Sequence, residues 1–96
     1  SLHDALPISN GVYETRVYAG PEQHRGLTNI GVRPTVSERN ALTIETHILD
    51  FDQMIYGLDI TVDFISRIRD ERRFPTLDAL RTQLEEDVTL CTDLKR

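Results

Sequence analysis

The stretch that decides the fold is Ile44-Glu45-Thr46-His47-Ile48-Leu49-Asp50-Phe51-Asp52-Gln53-Met54-Ile55-Tyr56-Gly57. Its first half alternates. Side chains along a strand point to opposite faces with period 2, so Ile44, Thr46 and Ile48 share one face and Glu45, His47 and Leu49 the other. The Ile face reads as core. The other face sets a carboxylate beside an imidazole, with Leu49 beyond them. A turn-like Asp-Phe-Asp-Gln follows, and Tyr56-Gly57 opens the next apolar run. Two titratable groups on one face of a rigid strand suit acid/base chemistry. An ordinary amphipathic strand presents the same pattern to solvent, and the spacing alone does not separate the two readings.

Working outward, Gly11 to Ala19 reads as a first strand, with Tyr13, Thr15 and Val17 alternating against Val12, Glu14, Arg16 and Tyr18. Gly20 to Gly26 carries Gly-Pro punctuation and reads as a turn. Leu27 to Val32 is a second strand, paired with the first as a hairpin. Pro34 lacks an amide donor, so Arg33-Pro34-Thr35 should end the pairing. Val36 to Ala41 reads as a polar loop, Leu42 to Asp50 as a third strand and Leu58 to Ile68 as a fourth. In the fourth, Ile60, Val62, Phe64 and Ile68 share a face, opposite Thr61, Asp63, Ile65, Arg67 and Arg69. Asp70 to Phe74 is a charged turn. The period then changes: Thr76 is a good N-cap, and Leu77, Leu80, Leu84, Val88, Cys91 and Leu94 recur at helical spacing. Asp78 near the start and Lys95-Arg96 at the end suit the helix dipole. Four antiparallel strands and one helix predict a small barrel or curled sheet with the helix across it.

Ninety-six residues make one domain, with 39% hydrophobic and 28% charged residues and no repeat. A net charge of -5 argues against broad nucleic-acid binding, which needs Lys and Arg to neutralise phosphates. It leaves room for a phosphorylated small molecule held by a few local cations. The one cysteine, Cys91, has no partner for an internal disulfide, sits on the helix stripe as a small core residue, and agrees with a cytoplasmic location. No run approaches the roughly 18 apolar residues of a membrane helix. His3, His24 and His47 are scattered, and no Cys/His spacing matches a zinc site.

Residues 1–9, Ser-Leu-His-Asp-Ala-Leu-Pro-Ile-Ser, fall outside this pattern and resemble the translation of a sequencing-adapter oligonucleotide. They are expected to be a non-native leader, with 10–96 the partial domain and further strands belonging to an intact sheet.

With the elements placed, the ordered motifs resemble the riboflavin kinase module. They are Gly11-Val12-Tyr13, Thr28-Asn29-Ile30-Gly31-Val32-Arg33-Pro34-Thr35, Ile44-Glu45-Thr46-His47-Ile48-Leu49-Asp50-Phe51, Tyr56-Gly57, Arg69-Asp70-Glu71 with Phe74, and the Leu-rich helix to about Asp87. In bacteria that module usually forms the C-terminal half of a bifunctional riboflavin kinase and FAD synthetase, so the resemblance implies an N-terminal adenylyltransferase domain in the parent chain. It implies a mainly β fold, an antiparallel six-stranded Greek-key-type barrel with a C-terminal helix. It also implies transfer of the γ-phosphoryl group of ATP, as its Mg2+ complex, to riboflavin, giving FMN. The family's catalytic Glu falls on Glu45. Asn29, Arg33, His47 and Tyr56 fall on the nucleotide and phosphate side, and Phe51, Arg69 and Glu71 on the flavin side. The module's Pro-Thr-Ala-Asn stretch, whose Thr and Asn help hold Mg2+ and the phosphates, is not among these 96 residues. The expectation is therefore no metal ligand here and no turnover from these residues alone. The alternative is a non-catalytic β-barrel module that binds flavin or nucleotide.

Overall fold

The computed structural model describes residues 9–34, 36–37, 40–51 and 59–91. Four strands form one antiparallel sheet: β1 (Gly11–Ala19), β2 (Glu22–Pro34), β3 (Asn40–Ile48) and β4 (Ile60–Arg69), in the order β3-β2-β1-β4. One helix follows, α1 (Leu77–Leu90). The mainly β architecture with a C-terminal helix matches the expectation. The sheet is open among the described residues, with β3 and β4 at its edges, so the described residues hold four of the six strands the resemblance implies.

The β1–β2 turn is shorter than the sequence suggests. Pairing starts at Ala19↔Glu22, leaving a two-residue connection at Gly20 and Pro21. Gly20 has φ 59, the left-handed region that glycine enters without a Cβ penalty. The polar run Glu22 to Arg25 is strand, not loop: it pairs with Arg16 to Ala19, and Arg16 Nη1 donates to Gln23 Oε1 at 3.0 Å. Polarity there marks a solvated hairpin arm. At its other end β2 runs to Pro34, two residues past the expected stop.

Two predicted faces need correction. On β3 the Ile44 face is not sealed core: Ile44 is 59% exposed, and the helix covers the opposite face, where Leu49 packs against the core. On the Ile44 face the order comes from hydroxyls. Thr28 Oγ1 lies 3.0 Å from Thr15 Oγ1 and 2.9 Å from Thr46 Oγ1, a hydrogen-bonded row across three strands. On β4, strict alternation fails because its pairing with β1 shifts register between Val12 and Tyr13 and again between Glu14 and Thr15. The shifts leave Ile68 and Ile65 as extra residues, bulges that change which way the following side chains point. Phe64 meets Tyr13 edge-on at 5.3 Å on one face, while Ile68 packs with the Val12, Leu27 and Cys91 cluster beneath the helix.

The helix begins as its sequence dictates. Thr76 Oγ1 accepts from the Ala79 N–H at 3.1 Å, a bond worth about 1 kcal/mol, and Asp78 lies in the first turn. Leu84, Val88 and Cys91 carry the stripe onto the sheet. The helix closes earlier than predicted. Cys91 is its buried C-cap, its N–H bonding Val88 O, and the last turn holds no basic residue. Leu94, Lys95 and Arg96 lie outside the described residues.

Candidate functional site

The β2–β3 register sets Asn29 opposite Glu45 and Leu27 opposite His47, so these side chains share the helix-facing side of the sheet with Arg33. The segment after β4 folds back over them. Glu71 lays its carboxylate across Gly31, where a Cβ would sit 2.6 Å from Glu71 Cδ. Glu71 Oε2 accepts from Asn29 Nδ2 at 3.0 Å and from Arg33 Nη1 at 2.8 Å. The other end of the same guanidinium, Arg33 Nη2, lies 3.4 Å from Glu45 Oε1. Arg33 thus bridges two carboxylates. The Asn29 and Arg33 bonds hold the Glu71 carboxyl below its ordinary range despite partial desolvation. Arg33 is pushed upward, first by its bond to Glu71 and further by the charges of Glu71 and Glu45. The Glu45 side chain is 66% exposed, a carboxylate open to an incoming molecule.

Beside this network lies a cleft of about 740 Å³ between sheet and helix. Asn29, Arg33, Glu45 and His47 line its sheet side, and Arg69, Phe74 and Leu84 its far wall. Its volume falls within the usual range for small-molecule sites, and it joins apolar walls to a few convergent polar groups. Arg69, at the end of β4, is committed to the helix: Nε donates to Asp87 Oδ1 at 2.8 Å and Nη2 to Asp87 Oδ2 at 2.9 Å. Its guanidinium carbon also sits 5.7 Å from the Phe74 ring centroid.

Six of the predicted site residues gather here: Asn29, Arg33, Glu45, His47 and Arg69 line the cleft, and Glu71 bonds two of them. Phe51 does not line the cleft; its ring meets His24 edge-on at 4.9 Å. Tyr56 lies outside the described residues. Sequence reasoning missed Asp87 as a partner of Arg69, although a signal existed. Asp87 stands three residues after Leu84 and four before Cys91, a carboxylate on the apolar face of the helix, and such a group must find a partner when buried.

A family model for riboflavin kinase (flavokinase) matches residues 1–95. The chain belongs to the riboflavin kinase family. Among its relatives, the RNA-binding riboflavin kinase RibR of Bacillus subtilis is 38% identical over 85% of this chain and 36% of its own length. The bifunctional riboflavin kinase/FMN adenylyltransferase of Haemophilus influenzae is 40% identical over 91% of this chain and 28% of its own length. The chain spans about a quarter to a third of the length of the curated relatives it matches. A solved structure described as a macrolide-efflux protein from Streptococcus pneumoniae superposes with a TM-score of 0.75 at 32% identity, over 85% of this chain and 27% of that one. No helix among the described residues is long and apolar enough to cross a membrane.

Proposed function

We propose that the cleft is the acceptor and phosphoryl-transfer site of a riboflavin kinase, with Glu45 as general base. The observation that carries this reading is the exposed Glu45 carboxylate, fixed on a strand beside Arg33 at the cleft wall. The reaction passes the γ-phosphoryl group of ATP to the terminal ribityl hydroxyl of riboflavin. A new O–P bond forms to the hydroxyl oxygen, the bond from the γ-phosphorus to the β–γ bridging oxygen breaks, and ADP leaves. Glu45 accepts the hydroxyl proton as the oxygen attacks. Phosphoryl transfer asks the protein mainly for positioning and charge neutralisation. Arg33 contributes a forked cation, and Asn29 an amide donor that shares the Glu71 carboxylate with it. His47 and Arg69 border the same space.

ATP enters such a reaction as its Mg2+ complex. Among the described residues no group of three His, Cys, Asp or Glu could hold a metal ion. Of the two carboxylates beside the cleft, Glu71 is held by Arg33 at 2.8 Å, whereas Glu45 is exposed and lies 3.4 Å from the same guanidinium. No step proposed for these residues runs through a metal ion.

The test is ATP-dependent conversion of riboflavin to FMN by the full-length protein, followed by chromatography of the flavins. FMN formation that requires ATP supports the reading. Flavin binding without any turnover would favour the binding-module alternative. The 96 residues alone, which lack a Pro-Thr-Ala-Asn stretch, are expected to give no FMN.

A further inference from the structure

Phe74 stands in the cleft wall with two guanidiniums over its ring. The Arg69 carbon Cζ lies 5.7 Å from its ring centroid and that of Arg72 5.4 Å. Both arginines are tied to the helix, and the ties meet. Arg69 donates twice to Asp87, and Arg72 Nη1 donates to Gln83 Oε1 at 2.7 Å. Gln83 Nε2 donates in turn to Asp87 Oδ1 at 3.1 Å. The contacts form a closed circuit running Arg69, Asp87, Gln83, Arg72, Phe74 and back to Arg69. Its one anion is Asp87, which is fully buried and borders no part of the cleft. A buried carboxylate holds its partners far more strictly than an exposed one, because losing them leaves an uncompensated charge. A guanidinium fixed at both ends of its fork cannot swing away from the ring beside it.

From this circuit we infer that Asp87 is a positioning residue. Acting through Arg69 and Gln83, it holds the Phe74 ring and its flanking cations as a preformed wall for a flat aromatic heterocycle. Such a ring system stacks on aromatic and guanidinium faces alike. In this site it comes from either substrate, as the isoalloxazine of riboflavin or the adenine of ATP. The inference rests on the kinase reading above.

The experiment compares KM for riboflavin, KM for ATP and kcat in the full-length protein and its Asp87→Asn variant. The expected result is a rise of about tenfold in one KM, with kcat within about threefold. The KM that rises says which ring the wall receives. A positioning role also predicts non-additivity, since residues in one contact network couple. In a Phe74→Leu background, Asp87→Asn should change that KM less than twofold. Arg69→Lys keeps the charge opposite Asp87 while losing the fork, so it serves if the Asn variant does not fold, and it should raise the same KM. Unchanged KM values in folded Asp87→Asn or Arg69→Lys protein overturn the inference. So does an equal loss with and without Phe74, which marks a general structural role. A wild-type protein that makes no FMN overturns the kinase reading itself, and this inference with it.

Discussion

Gly31→Ala gives a test in which the sign of an effect depends on one other residue. Gly31 does not adopt a positive φ, so alanine meets no backbone strain there. Taken alone, the change should stabilise a strand by about 0.5–1 kcal/mol, because glycine loses more freedom on folding. The new Cβ, however, would lie 2.6 Å from Glu71 Cδ, and the carboxylate must leave. Leaving breaks its bonds to Asn29 Nδ2 and Arg33 Nη1. Hydrogen bonds to charged groups contribute about 1.5–3 kcal/mol each, and this partly solvated pair should sit at or below the low end, about 1 kcal/mol each. The net cost is about 1–1.5 kcal/mol, a fall of roughly 5–10 °C in Tm for a domain of this size. With Glu71→Ala already present the clash disappears, and Gly31→Ala should raise Tm by a few degrees. Thermal unfolding of the four proteins by circular dichroism completes the cycle. An equal cost of Gly31→Ala in both backgrounds would show that Glu71 does not occupy the space over Gly31.

Two further outcomes follow from the same contacts. The Glu71 carboxyl is depressed in the folded chain by Asn29 first and then Arg33, so its contribution is present above the ordinary carboxylate pKa and is lost as pH falls through the folded value. Melting temperature should therefore fall more steeply on acidification in the wild type than in Glu71→Gln; parallel curves from neutral to strongly acid pH would contradict this. Thr28→Val removes the middle hydroxyl of the Thr15–Thr28–Thr46 row and leaves the buried Thr15 hydroxyl without that partner. The expected cost in denaturant unfolding is about 1–2 kcal/mol, and a neutral substitution would show that the row contributes no stability.

The strands were legible because β-branched and aromatic residues alternate in them, and the helix because Thr76 caps a clear apolar stripe. Period 2 failed where backbone geometry departs from it. Nothing in the sequence of β4 announces the extra residues Ile65 and Ile68, since both are apolar and suit either face. The hairpin arm from Glu22 to Arg25 was missed because strand pairing there satisfies the backbone while its side chains stay polar. Alternation alone puts Glu45 and His47 on one strand face, and the β2–β3 register bears out that shared face. The partnerships of Arg33 with Glu71 and of Arg69 with Asp87 join residues 38 and 18 apart in sequence, and only the folded chain brings them together. The resemblance puts Glu71 on the flavin side; the fold adds that it bonds Asn29 and Arg33, and that Gly31 makes room for it.

In the proposed reaction Glu45 removes the proton from the acceptor hydroxyl. Glu45→Gln keeps the size and shape of the side chain and discards its basicity. FMN formation by the full-length protein, measured at saturating riboflavin and ATP, reports whether that proton transfer needs the carboxylate. The expected result is a fall in kcat of about 10²–10⁴-fold, the usual scale of general-base effects, with an unchanged circular dichroism spectrum. A folded Glu45→Gln enzyme that turns over at the wild-type rate would contradict the assignment and move the search for the base elsewhere in the protein.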